Sequence, residues 1–327
     1  MRPVILAAAA LAVSLSAAAR AEIQVVASIV PVHSLVAGVM EGAGTPHLLV
    51  PGGATPHSFA LRPSDARRLE QAAAVFWIGP SLETFLERPV TALARKATVV
   101  ALIDADGVTR LPFREGGPWD AHDDDAEKAA SGKEAAPKDG HGHGHGHEHE
   151  HAHEGADGHA WLDPRNAMAM ARAIARTLGQ ADPANKARYD ANAARLVSRL
   201  QGLDAALATT LAPAKGRPYI VFHDAYQYFE ARYGLTPAGS ITVSPEVTPG
   251  AKRLAEIRAR IKKASAVCVF AEPQFEPKLV RTVIQGTDAR TATLDPLGAQ
   301  LPPGPDAYFR LLQDLANHLR SCLKGTS

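Results

Sequence analysis

The chain is poor in cysteine, with two in 327 residues (Cys268 and Cys322), and it has no Cys-x-x-Cys pair to serve as a thiolate metal clip or redox motif. It lacks an excess of charge of either sign, 35 basic against 34 acidic residues, so nothing favours nucleic acid or an anionic membrane as partner. Beyond its first twenty residues it has no apolar run long enough to span a bilayer. It contains no nucleophile elbow and no evident general base, which leaves a zinc hydrolase with little to stand on.

Met1 and Arg2 precede an apolar stretch from Val4 to Ala19, closed by Ala19-Arg20-Ala21. A short basic start, an apolar core and small residues at the end read as a secretory signal over residues 1–21, cut after Ala21. No cysteine lies near the cut, so no lipid anchor is expected. The mature chain should be exported, most simply to a bacterial periplasm. In that oxidising compartment a Cys268–Cys322 disulfide is expected, with two separately buried thiols as the alternative.

Short β-like runs alternate with helical patterns. Gln24–Ile29, Leu48–Val50, Ala74–Ile78 and Thr98–Ile103 form one set; Tyr219–Phe222, Ile241–Val243, Ala266–Ala271 and Thr291–Leu294 form a second. Many are apolar throughout, as parallel strands covered on both faces are. Helical patterns such as Pro63–Gln71, Leu82–Ala94 (broken or kinked at Pro89), Pro249–Lys263 and Pro305–Leu323 fall around them. The expected fold is α/β, two lobes with parallel sheets. Between the sets, Tyr189, Ala193, Leu196, Leu200, Leu203, Leu207 and Leu211 step by four and three, one stripe on a long helix that ends at Pro213. The organisation expected is a signal peptide 1–21, an N-terminal lobe 22–182, a stiff connecting helix 183–212 and a C-terminal lobe 213–327. Residues about 115–157, rich in Gly, Asp, Glu, Lys and His, cannot bury a core and read as a disordered insertion in the first lobe.

Inside that insertion a histidine stands at every second position: His141, His143, His145, His147, His149, His151 and His153. Neutral imidazole is a common ligand of zinc, copper and nickel, so the run marks a protein that handles a transition metal. Ordering so flexible a tract costs entropy, so it serves better as an accessory than as the principal site. The rigid candidates lie elsewhere. His57 follows the second strand, His223 the fifth and Asp295 the eighth, while His159 precedes a helix start at Asp163-Pro164. Ligands of open α/β sheets bind beyond the carboxyl ends of the strands. Two groups from each lobe could therefore meet in the crevice as a four-coordinate site for Zn²⁺. Asp163 and Asp224 are the candidate acceptors for the ring N–H groups.

Four segments then resemble the metal-ligand motifs of the periplasmic zinc-binding proteins that serve ABC importers. They are Pro51-Gly52-Gly53-Ala54-Thr55-Pro56-His57, His159-Ala160-Trp161-Leu162-Asp163-Pro164, Phe222-His223-Asp224-Ala225-Tyr226 and Thr293-Leu294-Asp295-Pro296-Leu297-Gly298. The resemblance implies two (β/α) lobes bridged by one rigid helix, with His57, His159 and His223 as ligands. The fourth place varies in that family between an Asp at the position of Asp295, a neighbouring Glu, and water. Pro56 stands where some members carry a Glu before the first histidine. Manganese-binding relatives have Glu at the place of His223, so this chain resembles the zinc-specific branch, which also has a His- and acid-rich insertion and a disulfide matching Cys268 and Cys322. The implied role is capture of Zn²⁺ by a monomer and its delivery to a membrane permease. A periplasmic zinc buffer with no permease is the alternative.

Overall fold

The computed structural model describes residues 22–115, 119, 155–242, 245 and 248–324. The expected signal peptide and the seven alternating histidines lie outside the described residues.

Two four-stranded sheets, each wholly parallel, form the frame. In the first, β1 (Val25–Ala27), β2 (His47–Leu48), β3 (Ala74–Trp77) and β4 (Thr98–Ala101) lie in the order β2-β1-β3-β4. In the second, β5 (Tyr219–His223), β6 (Pro237–Thr242), β7 (Cys268–Ala271) and β8 (Arg290–Thr293) lie in the order β6-β5-β7-β8. The two orders are the same pattern repeated, the first strand of each set lying between the second and the third. Each sheet therefore has a switch point beside its first strand, where successive crossovers diverge. The fully buried runs Val25–Ala27, Ala74–Trp77 and Tyr219–His223 are those whose apolar character is continuous, because helices cover both faces.

Nine α-helices are found among the described residues. The first lobe has α1 (Val30–Met40), α2 (Pro63–Gln71), α3 (Glu87–Leu93) and α4 (Pro164–Ala181). The expected helix over Leu82–Ala94 is broken before Pro89: a 3₁₀ turn, Thr84–Leu86, gives way to α3 at Glu87. Pro89 then sits in the first helical turn, where its missing N–H costs no bond. Asp163 caps α4, its carboxylate accepting the Arg165 N–H at 2.8 Å.

The long helix α5 spans Lys186–Leu211 and buries Tyr189, Ala193, Leu196, Leu200, Leu203, Leu207 and Leu211, the stripe read from the sequence. It adds Asn192, whose amide donates to the carbonyls of Val39 and Glu41 at 2.8 and 2.9 Å and so closes the carboxyl end of α1. After α6 (Gln227–Tyr233), α7 (Ala251–Lys263) and α8 (Lys278–Ile284), the chain ends in α9, Ala307–Lys324. The last helix reaches back to the first lobe: the Tyr308 N–H donates to Ser34 Oγ in α1 at 3.0 Å, and its hydroxyl donates to the Trp161 carbonyl at 2.6 Å.

The two cysteines are joined, Cys268 in β7 to Cys322 in α9, across 54 positions. Closing a loop of that size restricts the unfolded chain, so a Cys268→Ser/Cys322→Ser variant should lose about 2–4 kcal/mol of stability. Urea unfolding of the oxidised, reduced and substituted protein would check this, and equal midpoints for all three would contradict it.

Candidate metal centre

His57, His159 and His223 come together. One ring nitrogen from each lies within 4.8 Å of the others, and the ring centroids are 5.3–5.6 Å apart. Different elements supply them. His57 ends the loop after β2, His159 opens the 3₁₀ turn Ala160–Leu162 ahead of α4, and His223 is the last residue of β5. The site thus lies at the seam of the lobes, at the switch point of the second sheet.

The His57 loop reaches the second lobe through Gly52. A Cβ built there would stand 2.1 Å from the Ala299 carbonyl oxygen, so only glycine permits the approach. Gly53 beside it has φ +86°, again a glycine conformation. Trp161, fully buried, closes the floor: its indole N–H donates to the Pro296 carbonyl across the seam at 2.9 Å.

The orientation of two rings is fixed from behind. His159 Nδ1 lies 2.7 Å from Asp157 Oδ1, and His223 Nδ1 lies 2.8 Å from Glu272 Oε1. All four side chains are buried. A carboxylate can only accept, so each Nδ1 carries the hydrogen and each Nε2 presents a lone pair forward. Those two Nε2 atoms are 3.4 Å apart. Two facing lone pairs repel unless a cation or a proton lies between them. Ligands at 2.0–2.1 Å on a tetrahedral zinc are themselves separated by roughly 3.3–3.4 Å, so the spacing fits a shared metal ion.

Charge adds to this. Burial, and then the charges of His159 and His223, push His57 down to about 2, so it stays neutral and available over the whole working range. Burial also lowers His223, but the charge and hydrogen bond of Glu272, helped by Asp224 and Asp157, outweigh it and leave His223 above the ordinary histidine value. The matching place in the first sheet holds no ligand. There Glu83, buried and pushed up to about 7, accepts the N–H groups of Ile78 and Gly79 at 2.9 Å and the hydroxyl of Ser28. One switch point is thus filled by a structural carboxyl and the other by His223 and Glu272.

Asp295 stands outside the three-histidine cluster. Its Oδ1 accepts the N–H groups of Leu297 and Gly298 at 3.1 and 2.9 Å and the Gln274 amide at 3.1 Å; its Oδ2 accepts the Ala299 N–H at 2.6 Å. It secures the turn whose Pro296 and Leu297 wall the pocket. The expected ring partners also need correcting. Asp163 is engaged by Arg165, and Asp224 by Arg114, while Asp157 and Glu272 hold the rings. Glu272 directly follows β7, so the strand-end rule that selected His223 could have found it. Asp157 carries no comparable signal beyond standing two residues before His159.

Three imidazoles at the carboxyl edge between two parallel-sheet lobes define a metal-binding protein of the two-lobed α/β class. The family profile ZnuA, "Zinc-uptake complex component A periplasmic", matches residues 25–322, and the chain belongs to that family. A High-affinity zinc uptake system protein ZnuA of Brucella abortus is 50% identical over 304 residues, 91% of each chain. The Yersinia pestis protein of that name is 40% identical over 305 residues, 92% of this chain and 91% of the other. The fold is also that of a zinc-bound crystal structure of a ZnuA deletion mutant, with a TM-score of 0.72 at 24% identity over 93% of this chain and 99% of that one. No helix among the described residues is long and apolar enough to cross a membrane.

Proposed function

We propose that the protein captures Zn²⁺ in the periplasm, after export and removal of residues 1–21, and delivers it to the membrane permease of an ABC importer. It acts as a monomeric carrier, not as a catalyst. The observation that carries the reading is the pair of Nε2 lone pairs 3.4 Å apart, each backed by a buried carboxylate, with His57 completing a three-nitrogen face. His57, His159 and His223 bind as neutral imidazoles. The fourth place goes to Asp295, drawn from its turn, or to a water. Nitrogen donors favour zinc over the harder manganese. The uptake names of the relatives support the destination of the metal.

The alternating histidines His141–His153 are then an accessory that collects zinc when supply is low. Deleting Gly140–Glu154 should remove weak zinc equivalents and leave one tight equivalent per chain. Zinc titration against a competing chelator tests this; loss of the tight equivalent with the tract would make the tract the principal site. Growth of a deletion strain under zinc limitation separates a carrier from a pure buffer, because only a carrier is needed for uptake.

A further inference from the structure

The residues on either side of the His-rich insertion form a stem, and the stem touches both lobes at the metal centre. Pro112 pairs antiparallel with Ala156, and the Asp157 N–H donates to the Leu111 carbonyl at 2.8 Å. Tyr228 of α6, in the second lobe, spans the two sides: its hydroxyl accepts the Leu111 N–H at 2.9 Å and donates to the Asp157 carbonyl at 2.8 Å. Arg114 makes the stronger connection. Its Nε donates to Asp224 Oδ2 at 3.0 Å, a second N–H reaches Asp224 Oδ1, and Nη1 donates to Glu230 Oε2 at 2.8 Å. The Trp119 ring covers the guanidinium, whose carbon lies 3.6 Å from the ring centroid. Glu230 is held further by the Tyr219 hydroxyl at 2.9 Å.

Placement gives this cluster its meaning. Asp224 follows His223 in the chain, and Asp157 holds His159. The stem is therefore joined to the element behind each of the two facing ligands, one from each lobe. Parting His223 from His159 is one route by which a metal held between them can leave, and that movement would pull on the Arg114 fork. The fork is partly buried, and a planar guanidinium bonded to two carboxylates resists displacement more than a fully exposed ion pair does.

We propose that Arg114 is a positioning residue, a lobe-to-lobe latch at the base of the insertion that sets the rate at which zinc leaves the three-histidine site. The inference rests on the zinc-carrier reading above. It differs in sign from simple electrostatics: removing a positive charge close to a bound dication would slow its departure, whereas opening a latch speeds it.

The experiment is a chelator jump on the zinc-loaded full chain, reading the dissociation rate for the unaltered protein and for Arg114→Met, Arg114→Lys and Tyr228→Phe. The latch predicts a rate about tenfold or more higher in Arg114→Met. Arg114→Lys should behave nearly like Arg114→Met, since it keeps the charge but loses the fork. Tyr228→Phe, which removes the two hydrogen bonds from the Tyr228 hydroxyl to the stem without stranding a charge, should release severalfold faster. Cobalt substituted for zinc should show an altered ligand-field spectrum in Arg114→Met. Unchanged or slower release in Arg114→Met and Tyr228→Phe overturns the latch, and so does an Arg114→Lys rate equal to that of the unaltered protein. Failure of the unaltered protein to bind zinc tightly would instead sink the carrier reading.

Discussion

Replacing His57 by alanine is expected to weaken zinc binding about 10²–10³-fold while leaving the fold intact. Protein zinc sites of four ligands bind with about 10–16 kcal/mol, so one ligand accounts for roughly 3–4 kcal/mol. His57 is the clean test because it is partly exposed on a loop, and no carboxylate depends on it. His223→Ala should weaken zinc as much and, unlike His57→Ala, also lower the stability of the zinc-free protein. The Glu272 carboxylate would lose the ring that its Oε1 now meets at 2.8 Å, and its Oε2 has no partner to compensate. Competition titration with a chromophoric chelator gives the first quantity and thermal unfolding of zinc-free protein the second. A tight equivalent surviving in both variants would place the metal elsewhere.

The frame was legible because its signals are local and strong. Continuous apolar runs such as Tyr219–Phe222 sit where both faces of a sheet are covered, and the Tyr189–Leu211 stripe recurs over about six turns of one helix. Three of the four ligand candidates could be placed because the carboxyl edge of a parallel sheet is a position the sequence reveals once strands are found. What stayed hidden depends on pairing across the seam. Asp224 stands beside His223 in the chain and Asp163 one turn after His159, yet Arg114 and Arg165 occupy them, and no spacing announces either partner. Asp295 lies just beyond a strand as expected, but three backbone N–H groups of its own turn already hold it. A carboxylate so placed offers the same sequence pattern whether it binds a turn or a metal. Short helices also escaped: α6 and α8, seven residues each, show too few turns for a period to emerge.

The two buried carboxylates behind the rings should matter almost as much as a ligand. Removing their charges while keeping their shapes, as Asp157→Asn and Glu272→Gln, is expected to cost about 10–100-fold each in zinc affinity, and about 10²–10⁴-fold together if the effects add. Each carboxylate fixes the tautomer that turns Nε2 forward and raises the basicity of that nitrogen, so its loss lowers the donor strength of the ring as well as its order. The pH dependence identifies which carboxylate acts on which ring. In zinc-free protein His223 holds its proton to a pH above the ordinary 6.5, since Glu272 outweighs the burial that would lower it. Stability from that pairing is thus fully present below about 6.5 and is lost as pH rises through the raised value. Zinc must displace the same proton, so affinity should fall tenfold per pH unit once pH drops below the raised value. With Glu272→Gln, burial prevails, His223 loses its proton earlier, and the onset of that slope moves to lower pH. His57, already neutral down to about 2, adds no slope of its own between pH 5 and 8. Proton release on zinc binding, followed by calorimetry in buffers of different ionisation enthalpy, reads this directly. About one proton released near pH 6.5 by the unaltered protein, and a clear decrease in Glu272→Gln, are the expected values. Equal release from both would mean that Glu272 orients the ring without governing its charge.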